Sequence, residues 1–391
     1  MCIIQVLCNI FLRSFSKMIQ ELKLKSIDAL TGVRFLAALL VFLFHFGAAF
    51  SARIGMPEFI SNFLHNGKVG VSVFFVLSGF ILTYTYTKRF AYQIDLVDFF
   101  VSRFARIYPV YLLALLLMLP VLPKALDTWS MVCVLGMVQS WTLPFSSFGG
   151  TWVMQAWTLS VELFFYICFP VLLVLMRNIK LQTIVICLFA ASLLIVTLGT
   201  PWIDPGIKYV PFLPRDLTPI LPILRLPEFI FGMLICKFMF SAPLVGEKIS
   251  GSGFTLVTLL SMLALLAFSD VVQMKSFSTV IFGIFIIQLS YGRNFLVSLL
   301  SSKLMVLLGG ASYALYILQG PIRQWLYWAV DHSFFSEKIA SLLNPLLAIS
   351  LSIVIFVYWE QPARAAIKRL FDSLSVTRLN WFSPKTSPKK R

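Results

Sequence analysis

The sequence predicts an all-α integral membrane protein of about ten transmembrane helices with both termini in the cytoplasm. Three observations carry that prediction. Hydrophobic residues make up 59% of the 391-residue chain and charged residues only 12%, with a mean hydropathy of +0.90, where a soluble domain holds about 25% charged residues. Apolar stretches of helical length recur along the chain, against the roughly 20 residues that a bilayer core takes. The net charge of +16 comes from basic residues that fall mostly between those stretches. In a soluble protein such a charge would favour nucleic acid; here its distribution excludes that partner and sets orientation instead.

Residues 1–27 open with an apolar run broken by Arg13 and Lys17. The run is too short to span and lacks a clean small-residue cleavage site, so it is expected to be a cytoplasmic segment, with Met18 an alternative start. The first span, Asp28–Phe50, carries Arg34 and His45. Eleven steps of about 100° bring both side chains to one helix face, about 16 Å apart along the axis. A polar stripe on an apolar helix has to face protein or a water-filled cavity, and ionisable groups placed there mark function.

The second span, Val69–Thr87, holds Gly70, Ser72, Ser78 and Gly79, small residues that let helices approach closely. The following loop ends in RFARIYP, where Arg103 and Arg106 are expected to share a face of a short interfacial helix. A third span covers Ile107–Leu122. The segment Trp129–Phe148, apolar but short and interrupted by Pro144, reads as re-entrant or interfacial. Spans then follow at Trp157–Met176, Leu181–Leu198, Thr218–Met239, Phe254–Phe268, Phe277–Tyr291, Leu304–Val330 and Pro345–Trp359.

Charge supports this topology. Of the 32 Lys and Arg, the outer loops hold only Arg53, Lys68, Lys124, Lys208, Arg215, Lys275 and Lys338. Arg34, Arg225 and Arg323 lie in spans, and the remainder are cytoplasmic, as the positive-inside rule requires. Three segments result: a cytoplasmic 1–27, a membrane domain 28–362, and a basic cytoplasmic tail 363–391 whose last residues, SPKTSPKKR, read as disordered. The six cysteines show neither metal nor disulfide spacing and no metal is expected.

The ionisable residues divide by depth. Arg34, Arg103, Arg106 and Glu360 fall near the inner face; His45, Glu162, Arg225, Glu228, Gln319 and Arg323 fall towards the outer half. Arg225 and Glu228 stand three apart and can neutralise one another. Glu162 has no local partner, and its place about five residues into an outward-starting helix sets it level with His45. There it would orient the imidazole and fix which ring nitrogen carries the proton.

The order of these pieces resembles the acyltransferase 3 family of bacterial integral membrane acyltransferases. The matching pieces are Arg34 and His45 as R-x10-H, FFVLSGFIL at 74–82, RFARIYP at 103–109, WTLSVELFFY at 157–166, RLPEFIFG at 225–232, LGGASYALYILQGP at 308–321 and EQPAR at 360–364. Many members resemble SYxLYLxHxP in the penultimate span; the histidine position is Gln319 here, so Gln319 is assigned no catalytic role.

The resemblance implies a multi-pass protein of the bacterial inner membrane. Its implied activity moves an acyl group, usually acetyl, from a cytoplasmic donor such as acyl-CoA to a hydroxyl of an envelope glycan, polysaccharide or lipopolysaccharide. No permanently bound cofactor is implied. Arginines suit the donor's phosphates, because the guanidinium is permanently charged and forks its donors. The expected donor-binding residues are Arg34, Arg103 and Arg106, and the expected catalytic residues His45 and Glu162. His45 acts either as base towards the sugar hydroxyl or as a covalent acyl carrier. Arg225, Glu228, Tyr313 and Glu360 are further candidates, structural or on the acceptor side. The alternative is a transporter or flippase for a glycan or lipid-linked precursor, in which the same polar residues line a path.

Overall fold

The computed structural model describes residues 27–47, 51, 55–90, 95–121, 127–142, 152–203, 221–268, 272–291 and 294–382. The expected N-terminal cytoplasmic segment up to residue 26, residues 143–148 of the interrupted apolar segment, and the last nine residues of the tail lie outside these. The described residues form helices and turns, with no strand among them.

The helices are α1 Ile27–Gly47, α2 Glu58–His65, α3 Val69–Phe90, α4 Leu96–Met118, α5 Thr128–Leu135, α6 Gln139–Thr142, α7 Trp157–Leu175 and α8 Leu181–Ile203. They continue with α9 Pro222–Ser241, α10 Pro243–Ile249, α11 Ser252–Phe268, α12 Val272–Tyr291, α13 Phe295–Leu300, α14 Lys303–Asp331, α15 Glu337–Ile355 and α16 Gln361–Phe382. Six helical stretches are long and apolar enough to cross a bilayer: Ile27–Gly47, Glu58–Thr87, Leu96–Val121, Met154–Leu175, Lys303–Asp331 and Glu337–Leu374. The α9–α10 pair, bent by 102° at its break, makes a seventh if it is one span. Leu181–Thr197, Ser252–Phe268 and Phe277–Tyr291 are shorter apolar helices.

Two differences from the sequence expectation matter for the site. RFARIYP does not sit on a separate interfacial helix. It belongs to α4, which begins at Leu96 behind the Asp95 side chain, an acceptor for the Val97 and Asp98 amides. The helix runs through Pro109 without ending. Likewise EQPAR does not end the last span, because a π-turn at Phe356–Glu360 joins α15 directly to α16. The segment after Asp127 breaks into the short α5 and α6 around Gly136 and Met137, the latter at φ 56°.

Small residues set the bundle's closest crossings. A Cβ placed at Gly79 of α3 would fall on the Phe229 carbonyl of α9, and one at Gly232 of α9 would fall on the Val76 carbonyl of α3. The two backbones therefore touch reciprocally, the packing that drives helix association where lipid is as apolar as the side chains. Gly309 of α14 meets the Thr31 carbonyl of α1, and Gly70 of α3 meets that of Ala37. With α1 held against both helices, its polar face is turned inward. Around the α3–α9 crossing, Phe75, Phe165, Phe169 and Phe229 interlock, with Phe165 and Phe229 stacked at 4.5–7 Å range, their centroids 4.7 Å apart. Leu112, Leu116, Ile167, Val171, Leu175 and Phe189 stay exposed, as expected of side chains that meet lipid.

Candidate active site

α1, α3, α4, α7 and α14 enclose two adjoining cavities that share Arg34, Phe74, Glu162 and Tyr313. The basic one is lined by Arg103 and Arg106 of α4 and by Tyr166, and its remaining wall is largely α3. The other is mostly apolar: besides the shared residues, Val71, Phe75 and Leu159 line it together with Thr158 and Tyr316. Arg34, Arg103, Arg106, Glu162 and Tyr313 are each half-buried, being open to these spaces rather than packed away.

Three predicted donor-side residues thus meet. Arg34 reaches the site from α1, and Arg103 and Arg106 from adjacent turns of α4, where a three-residue spacing puts them on one face. Rings steady Arg103, whose guanidinium lies 6.0 Å from the centroids of both Phe99 and Tyr166. Its Nε is buried without a hydrogen-bond partner among the described residues. Glu360, on the π-turn, is buried and pairs with Arg364 at 3.6 Å, while also acting on Arg34 and Arg106. The π-turn is tied down by Trp359, whose indole donates to the Pro109 carbonyl at 2.9 Å. Tyr313 donates to the Ile107 carbonyl at 2.8 Å, fixing α14 against α4 beside the arginines.

Glu162 does not stand beside His45. The charges acting on it are Arg106, Arg34 and Arg103, and it accepts a 3.2 Å hydrogen bond from Tyr166 one turn along its helix. The depth argument failed because α7 does not start at the protein surface. Trp152, Val153, Gln155, Ala156 and Trp157 are all buried, so five residues further on lies the middle of the bundle. His45 lies elsewhere, between the rings of Phe44 at 4.9 Å and Phe46 at 6.2 Å, and the charge acting on it is Arg323. The Arg323 guanidinium stands 5.2 Å from the Phe46 centroid and donates to the Tyr327 hydroxyl at 2.8 Å.

Arg225 and Glu228 form the ion pair that their spacing predicts, at 2.9 Å and buried on both sides. Arg225 also donates to the Ser72 hydroxyl at 2.9 Å and lies 5.5 Å from the Phe75 ring. The pair therefore backs the cavity wall through Phe75. Sequence reasoning missed Tyr166, Arg364, Thr158 and Tyr316. Tyr166 and Arg364 carried a signal, each sitting four residues from the carboxylate it contacts.

Chemically, the basic cavity gathers Arg34, Arg103 and Arg106 against Glu162, with the Glu360–Arg364 pair acting from outside its lining, an excess of positive charge suited to phosphate groups. The adjoining apolar cavity suits an uncharged chain.

The model of a family described as "Acyltransferase domain" matches residues 27–359. The acyltransferase MdmB of Streptomyces mycarofaciens is 30% identical over 227 residues, 54% of this chain and 57% of its own length. The exopolysaccharide production protein ExoZ of Rhizobium meliloti (strain 1021) is 31% identical over 265 residues, 64% of this chain and 75% of its own. The match to MdmB thus spans little more than half of that relative. No solved structure matches.

Proposed function

The chain belongs to this acyltransferase-domain family, and from that premise we propose that it transfers an acyl group, acetyl in the first place, from a cytoplasmic acyl-CoA to a hydroxyl of an envelope carbohydrate. The relative named for exopolysaccharide production supports a polysaccharide acceptor. The observation that carries the reading is the change of character along the joined cavities. Three arginines with no carboxylate in salt-bridge contact among the described residues line one part, and mostly aromatic and aliphatic side chains line the next, with Arg34 and Glu162 shared between the two. A donor with a phosphorylated head and an uncharged arm matches both.

In this reading Arg34, Arg103 and Arg106 hold the donor's phosphates, and Glu162 with Glu360 offsets the mutual repulsion of the guanidinium groups and orients them. The thioester then lies towards Thr158 and Tyr316. His45 takes the proton of the attacking sugar hydroxyl as the new ester bond forms and the thiolate leaves. The same chemistry proceeds in two steps if His45 carries the acyl group first. The topology that accompanies this reading has ten spans in the bacterial inner membrane and both termini cytoplasmic, the three shorter apolar helices and the α9–α10 pair making up the number.

The test uses purified protein in lipid nanodiscs with radiolabelled acetyl-CoA. Label that becomes covalently attached to added envelope polysaccharide supports the reading. In sealed proteoliposomes, movement of a glycan across the bilayer without covalent change contradicts it.

A further inference from the structure

We propose that Gln155 and Gln319 form a binding subsite for an uncharged, hydroxyl-rich ligand, the carbohydrate acceptor, in the layer between the apolar cavity and His45. The proposal rests on the acyltransferase reading and adds to it where the acceptor is held. Along α14, Tyr316 lines the cavity, Gln319 follows three residues later, and Arg323 reaches Phe46 beside His45 four residues beyond that. At about 1.5 Å per residue, Gln319 sits near the midpoint. Gln319 and Arg323, four apart, also share a face of the helix.

From the other side Gln155, in the turn that leads into α7, meets this segment. A Cβ at Gly320 would lie 2.8 Å from Gln155 Oε1, and the Tyr316 hydroxyl reaches the Gln155 carbonyl at 3.4 Å. Both carboxamides are buried, Gln155 to 6% exposure and Gln319 completely. Gln319 Nε2 donates to the Tyr316 carbonyl at 2.8 Å, yet Oε1 of Gln319 and Oε1 of Gln155 have no partner among the described residues. Nor does the indole Nε1 of buried Trp152, three residues before Gln155.

A buried acceptor without a donor is unfavourable unless a ligand supplies one, and more so inside a membrane protein. Two carboxamide oxygens and one indole N–H require a ligand that both donates and accepts hydrogen bonds. They carry no charge with which to hold an anion. Sugar hydroxyls meet that requirement. Placed here, one of them comes between the cavity's thioester end and His45, where its proton is to be taken.

The test measures acyl transfer from acetyl-CoA to polysaccharide extracted from cells lacking the protein, using Gln155→Met and Gln319→Met in nanodiscs. Each variant removes the carboxamide at nearly constant length. The apparent KM for the polysaccharide should rise about tenfold, the effect of one lost hydrogen bond to substrate. The KM for acetyl-CoA should stay within about twofold, and unchanged CoA binding shows that the variants are folded. If the Met variants do not accumulate, Gln155→Asn and Gln319→Asn withdraw the same groups by one methylene and should show the same rise. An unmoved polysaccharide KM overturns the subsite, and so does a rise confined to acetyl-CoA, which would assign the glutamines to the donor's arm. A wild-type protein that transfers nothing overturns the acyltransferase reading itself.

Discussion

Glu162 shares its cavity with Arg34, whereas His45, on the same helix as Arg34, lies away from both in the company of Arg323. The carboxylate therefore serves the arginine cluster rather than the imidazole. Two separate ends follow: a charged one around the arginines and an aromatic one around the histidine.

Glu162→Gln tests this division. Removing the charge lets the guanidinium groups of Arg34, Arg103 and Arg106 repel one another without their shared counter-ion, so kcat should fall on the order of tenfold to a hundredfold through misplaced donor. The shape of the pH–rate curve, measured per folded molecule, should stay that of the wild type. A shifted curve would return Glu162 to the side of His45.

Arg34→Lys keeps the charge but loses the planar fork. The KM for acetyl-CoA should rise about tenfold, consistent with the loss of a bidentate contact to phosphate. Initial rates across a range of acetyl-CoA concentrations check it, and an unchanged KM would leave Arg34 without a donor role.

His45→Ala should insert and accumulate normally, since the residue is half-buried between two rings and not in the close helix crossings. Transfer should fall by about 10²–10⁴-fold, the range for a lost general base. Glycan acylated at the normal level by this variant would remove His45 from the chemistry.

Arg225→Met strands Glu228 as a buried, unpaired carboxylate and should destabilise the protein by about 3–5 kcal/mol. Replacing both, Arg225→Met with Glu228→Leu, should recover most of that loss. Thermal unfolding in detergent distinguishes the single variant from the double.

Much of this was legible in the sequence, because long apolar periodicity and small-residue spacing are local signals. The ten expected spans fall largely on helices, with residues 48–50, 122 and 218–220 of their ends outside the described residues. Only six of those helices, or seven with the α9–α10 pair, are long and apolar enough to cross a bilayer. The crossing of Gly79 with α9 is the close approach that a glycine in an apolar helix announces. The meeting of Arg34 with Arg103 and Arg106 was legible because basic residues inside spans are few and a three-residue spacing puts the other two on one face. What failed was depth. Helix starts were taken as membrane boundaries, and the buried turn before α7 displaces Glu162 inward. The sequence opens the third span at Ile107, yet α4 begins at Leu96, passes through Pro109 and carries Arg103 and Arg106 into the cavity wall. Gln155 escaped notice altogether, because an isolated glutamine carries no spacing signal and only its unpaired oxygen marks it.

The central claim, acyl transfer to an envelope carbohydrate, is tested most directly by mass spectrometry of envelope polysaccharide and lipid from cells with and without the gene. The account predicts an increment of acyl mass on a carbohydrate that disappears when the gene is deleted. It should return with the wild-type protein but not with His45→Ala. Identical acylation in the presence and absence of the gene, under conditions where the protein accumulates, would contradict it.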